Sequence, residues 1–137
     1  MEKRKETDKG FYGCYWPLAG AKCAWIAMLG DDCEDHMAKA SVKWIQKKFG
    51  ISVLTLSPAH KNYSHHNLPV ERIGAAIQYL KEHGIEKIGI VGGSTTGMFA
   101  LIAASYYPEI TLTVAMTPCK VPRHDIQDYP FVLCPLC

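Results

Sequence analysis

The chain has no apolar run approaching the length of a membrane span, so nothing in it predicts a membrane partner. It has no strong charge of either sign. A formal +2 over 137 residues, with lysines scattered along the chain, excludes the broad basic surface that nucleic acid requires. The short Lys3-Arg4-Lys5 start reads as a solvated terminus. Internal repeats and low-complexity stretches are absent. Met1 to Gly10 is strongly polar, unlike a signal peptide. Six cysteines stand at positions 14, 23, 33, 119, 134 and 137. Cys14, Cys23 and Cys119 lie in or at the end of apolar runs, where a free thiol acts as a small core residue. A reduced, cytoplasmic setting is therefore expected.

Metal motifs are also thin. Cys134-Pro135-Leu136-Cys137 has CxxC spacing but no second ligand pair, so no zinc or redox centre is expected there. In His60-Lys61-Asn62-Tyr63-Ser64-His65-His66, the adjacent histidines cannot easily face one ion, and no carboxylate follows until Glu71. This segment reads as a polar surface loop on the carboxyl edge of a sheet, where ligands of α/β proteins enter.

What the chain does have is an apolar fraction of 48%, enough for one core, arranged in alternating periods. Ala24–Leu29, Ile51–Leu56, Lys87–Val91 and Thr111–Met116 read as strands. The last three are rich in β-branched residues, as suits strands buried on both faces of a parallel sheet. Phe11–Trp16 reads as a further, edge strand. Between them lie helical patterns. Glu34–Phe49 places Met37, Ala40, Val42, Trp44 and Ile45 largely on one side and closes on Gly50. Pro69–His83 repeats apolar residues at three and four and ends at Gly84. Thr95–Tyr107 stops at Pro108. The order predicts an α/β domain with a mostly parallel sheet and right-handed crossovers.

One turn carries chemistry. Gly92-Gly93-Ser94-Thr95-Thr96-Gly97 follows the strand Ile88-Gly89-Ile90-Val91 and opens a helix. The spacing of Gly92 and Gly97 fits a P-loop, but Met98 and Phe99 stand where the phosphate lysine and magnesium hydroxyl belong. No GxGxxG triplet starts at Gly89, Gly92 or Gly93. GxSxG remains, with Thr96 in place of the final glycine. This is the pattern of a nucleophile elbow, in which Ser94 stands clear of the backbone at the positive end of a helix. The competing reading makes Ser94 a simple helix N-cap. As nucleophile, Ser94 would use an oxyanion hole formed by the amide of Thr95 and one from the loop Gly30-Asp31-Asp32-Cys33, with Asp31 the expected donor. The aspartates of that loop are expected to cap the next helix.

The run from Glu86 to Gly97, continuing through Ala103-Ala104-Ser105-Tyr106-Tyr107-Pro108, resembles the C-terminal domain of the acyl-CoA thioester hydrolase and bile acid-CoA:amino acid N-acyltransferase family. The resemblance extends over about residues 10 to 118 and is most specific at the turn. It implies a partial α/β-hydrolase fold, Ser94 as acyl-accepting nucleophile, and thioester or ester substrates, with no metal or redox cofactor. In that fold the acid and the histidine follow on later strands. Downstream of Ser94 stand only His124 and Asp125, adjacent and in the wrong order, within an irregular segment 119–137. The expectation is the N-terminal part of a hydrolase domain lacking its C-terminal strands, with little or no activity by itself. A bare sheet edge at Thr111–Met116 would favour self-association instead.

Overall fold

The computed structural model describes residues 4–6, 10–58 and 68–118. It comprises β1 (Arg4–Glu6), β2 (Gly13–Trp16), β3 (Cys23–Met28), α1 (His36–Phe49), β4 (Ser52–Leu56), α2 (Glu71–Glu82), β5 (Lys87–Gly93), α3 (Thr95–Tyr106) and β6 (Ile110–Met116). The strands form a single sheet in the order β1-β2-β4-β3-β5-β6. The pairs β3–β4, β3–β5 and β5–β6 are parallel, whereas β2 runs antiparallel to both of its neighbours. The alternation of strand and helix is thus as expected from the apolar periods. Among the described residues no helix is long and apolar enough to cross a membrane.

Alternation along the strands sends side chains to two cores. Ile26, Met28, Leu54, Leu56, Ile88 and Ile90 meet α2 and α3 through Ile73, Leu80, Ala100 and Ala103. Their neighbours Ala27, Val53 and Val91 face the other way and meet Val42 and Ile45 of α1. The sheet is therefore a buried layer between helices wherever those helices reach.

Four expectations are corrected by the structure. Arg4 and Lys5 lie in a strand rather than an irregular start, because Arg4–Glu6 pairs with Gly13–Tyr15. That pairing makes β2 an interior strand rather than an edge. On α1 the buried residues are Ala38, Val42 and Ile45, while Met37 and Trp44 are 58% and 56% exposed. Trp44 packs instead on Phe49, whose ring also stacks with Trp25. Finally, β6 is not buried on both faces: Leu112 and Met116 stand exposed on the outer strand.

Helix α1 begins at Asp35, whose carboxylate accepts hydrogen bonds from the amides of Ala38 (2.8 Å), Asp31 (2.7 Å) and Asp32 (3.0 Å). Capping by Asp31 or Asp32 was expected, but the Asp32 carboxylate accepts instead from Glu34 N and Ser57 Oγ. Burial pushes the Asp35 carboxyl up. The amides of Ala38, Asp32, Asp31 and Met37 more than offset this and hold it below its ordinary 3.8. Stability from this group is therefore present above pH 3.8 and lost as pH falls through the depressed folded value. Asp35→Ala should cost roughly 1–2 kcal/mol near neutral pH. Urea midpoints of the two proteins should converge in strong acid.

Candidate active site

Strand β5 lies in the middle of the parallel part of the sheet, and its carboxyl end runs directly into the turn. Met28 of β3 pairs with Gly92, and Gly93 with Met116 of β6. Ser94 N then donates to Met116 O at 2.9 Å, which extends the ladder by one bond. At Ser94 the backbone changes hand, with φ 54° and ψ −120°. An L-residue adopts this conformation only against steric cost, and it is held where surrounding structure over-determines it. The N-cap reading fails. Ser94 makes no side-chain bond to the helix, and its exposed side chain makes no hydrogen bond among the described residues. Its carbonyl does accept the first helical amide, from Met98 at 3.2 Å.

The turn is closed by Thr96, the residue that departs from GxSxG. Its hydroxyl is buried and lies 2.6 Å from Met28 O, 2.9 Å from Gly93 O and 3.0 Å from Gly93 N. One side chain thereby ties the start of α3 to the ends of β3 and β5. In the sequence Thr96 is only a departure from GxSxG. The signal available in the sequence was a hydroxyl residue just past the carboxyl end of a strand, where backbone groups need partners. Thr96→Val keeps the shape and removes these bonds, so it should cost about 2 kcal/mol. Thr96→Ser should recover most of that loss in thermal or urea unfolding.

The two expected oxyanion amides differ in outcome. Thr95 stands in the first turn of α3, directly after Ser94, as the elbow requires. Asp31 does not present its amide to that space, since it is bonded to the Asp35 carboxylate. The loop after β3 does approach the turn: a Cβ built on Gly93 would lie 3.8 Å from Leu29 Cδ2 and 3.9 Å from Met116 Cε. Leu29 and Met116 therefore flank Gly93, the residue before the serine. No acidic residue occupies the first turn of α3, so its positive end is not neutralised locally.

No described histidine joins Ser94. His83 precedes β5 and packs on Tyr15 and Tyr79, with Nδ1 2.8 Å from Tyr79 O. That places it at the opposite end of β5 from the serine. His36 opens α1. His60, His65, His66, His124 and Asp125, and the Cys134–Cys137 pair, lie outside the described residues, as does Cys119.

No family model and no curated protein sequence matches the chain. Solved structures do. The esterase PF2001 of Pyrococcus furiosus superposes with a TM-score of 0.68 at 19% identity, over 85% of this chain and 50% of the esterase. A mutant form of the esterase E40 gives 0.57 at 22% identity, over 82% of this chain and 41% of that one. At such identities the likeness carries the fold. The chain has a partial α/β-hydrolase fold, and it spans half or less of the length of these two esterases.

Proposed function

We propose that the chain contributes the nucleophile half of a serine acyl hydrolase, with Ser94 as the acyl-accepting residue. The observation that carries this reading is the backbone of Ser94, since an exposed hydroxyl on a strained strand-to-helix turn has no structural purpose as a cap. The chemistry follows from the elbow. A base takes the proton of Ser94 Oγ as the oxygen attacks the carbonyl carbon of an ester or thioester. The tetrahedral oxyanion is met by the amide of Thr95 at the helix start. Its collapse expels the alcohol or thiol and leaves an acyl-serine, which water or an amine then releases. Thioester preference, as in the acyl-CoA thioester hydrolase and N-acyltransferase family, rests on the resemblance of residues 86–97 alone. No cofactor enters any of these steps.

The base is the missing participant among the described residues, and a serine without one is a poor nucleophile near neutral pH. The chain by itself should therefore turn over p-nitrophenyl esters and short acyl thioesters slowly. Both rates should fall to background in Ser94→Ala. Equal rates in the two proteins would remove the assignment, and the ratio of thioester to ester turnover tests the finer one. A reducing, cytoplasmic setting belongs to the same reading. Cys14, Cys23 and Cys33 are thiols rather than disulfide halves, which supports it.

A second reading has one observation in its favour. The outer strand β6 carries Leu112 and Met116, 49% and 45% exposed, beside an edge that pairs with no other strand among the described residues. A self-associating module would use that edge. Size-exclusion chromatography decides, because a compact monomer contradicts association and a discrete oligomer supports it.

A further inference from the structure

The fold gathers three potential ligands from two places in the sequence, β2 and the loop after β3. Cys14 of β2 and Cys33 of the loop after β3 are both fully buried, with their Sγ atoms 3.6 Å apart. A carboxylate oxygen of Glu34 joins them, and the three atoms all lie within 4.8 Å of one another. We propose that Cys14, Cys33 and Glu34 form a binding site for a thiophilic divalent cation of the Zn2+ class, tying β2 to the loop after β3. None of the three residues has a role in the chemistry assigned to Ser94, so the proposal stands whether or not the chain hydrolyses esters.

The donor set and spacing fit such an ion. Zinc bonds thiolate at about 2.3 Å and carboxylate oxygen at about 2.0–2.2 Å in tetrahedral sites. Those lengths place two sulfurs roughly 3.8 Å apart across a tetrahedral edge, close to the spacing already present. Thiolates also select this ion over the hard cations that favour oxygen. The backbone beneath the pair is held independently of any metal. Thr55 Oγ1 lies 2.7 Å from Cys33 O and 3.3 Å from Cys14 O, and accepts from Trp16 Nε1 at 2.9 Å. Asp32, next in the chain to Cys33, is steadied by Ser57 Oγ at 3.3 Å and adds negative field. Glu34 is only partly buried, so it gives the ion a route from solvent.

An ordinary core thiol pair would be lined by apolar groups alone, whereas this one shares its site with two acidic residues. The hydrogen bond with Cys14, burial and the Asp32 carboxylate all raise the Cys33 thiol, so without a cation it stays protonated. Binding reverses that state. Two S–H bonds break, two metal–sulfur bonds form, and two protons pass to solvent.

The test uses the reduced full chain titrated with Co2+ and then Zn2+. One equivalent of Co2+ should produce a thiolate-to-cobalt charge-transfer band that Zn2+ abolishes, and saturating Zn2+ should raise the melting temperature by roughly 5 °C. The double change Cys14→Ser with Cys33→Ser should remove the band, whereas Cys134→Ser with Cys137→Ser should leave it. A band with the opposite dependence, no band at all, or a Cys14–Cys33 disulfide in the reduced preparation overturns the proposal. Should the buried serines prevent folding, Glu34→Gln keeps both thiols. It should weaken Co2+ binding roughly tenfold or more, and unchanged affinity would exclude Glu34 as a ligand and the site with it.

Discussion

Gly92→Ala should cost ~3 kcal/mol or more, enough to leave a domain of this size marginal or unfolded. A Cβ at this position would lie 2.2 Å from Thr96 O, 2.4 Å from Thr96 C and 2.8 Å from Gly97 N. All three are backbone atoms of the first turn of α3, so no side chain can rotate away. Nor can the helix retreat freely. The Thr96 hydroxyl holds it to Met28 O and Gly93 O, and Gly97 packs against Gly92 O and Met116 O. The adjacent glycine supplies the control. At Gly93 a Cβ meets nothing nearer than 3.8 Å and φ is not positive, so Gly93→Ala should fall within about 0.5 kcal/mol of the parent. Urea midpoints for the two variants measure the contrast. If they agree to within 1 kcal/mol, α3 does not lie against β5 as closely as described.

That contrast also shows where sequence reasoning reached and where it stopped. Period and composition placed all three helices and β3 to β6 to within a few residues, because buried strands and amphipathic helices write their packing into local spacing. Gly92 as the first glycine of GxSxG was legible for the same reason, since the motif encodes a close approach between neighbours in the chain. Less legible were features that depend on partners far away. Met37 and Trp44 lie together on α1, but at 100° per residue they stand roughly 140° and 160° from Val42, so burying Ala38, Val42 and Ile45 turns them outward. Arg4–Glu6 carries no apolar signal and becomes a strand only because β2 offers an edge. The capping of α1 by Asp35 displaced both the expected cap and the expected oxyanion donor at Asp31. The purpose of Thr96 is likewise hidden, because its partner Met28 O lies 68 residues away in the chain. Cys14 and Cys33 are 19 residues apart, and only the pairing of β2 with β4, under the loop after β3, makes them neighbours.

Ser94 should show opposite consequences for stability and activity according to what replaces it. Alanine keeps the Cβ, hence the steric cost of φ 54° and ψ −120°, and loses only an exposed hydroxyl with no described partner. Ser94→Ala should therefore stay within about 0.5 kcal/mol of the parent in unfolding. Glycine removes the Cβ altogether. A non-glycine residue held in such a region stores about 1–3 kcal/mol, and glycine returns part of that gain through the greater freedom of its unfolded chain. Ser94→Gly should thus stabilise by about 1 kcal/mol, visible as a higher urea midpoint with an unchanged slope. Both variants should lose ester turnover to the same background, because either change deletes the oxygen that accepts the acyl group. A protein that keeps a strained serine where glycine would be more stable is retaining the hydroxyl for something other than folding. If Ser94→Gly proves no more stable than Ser94→Ala, the strain is absent and the conformational case for a nucleophile falls with it.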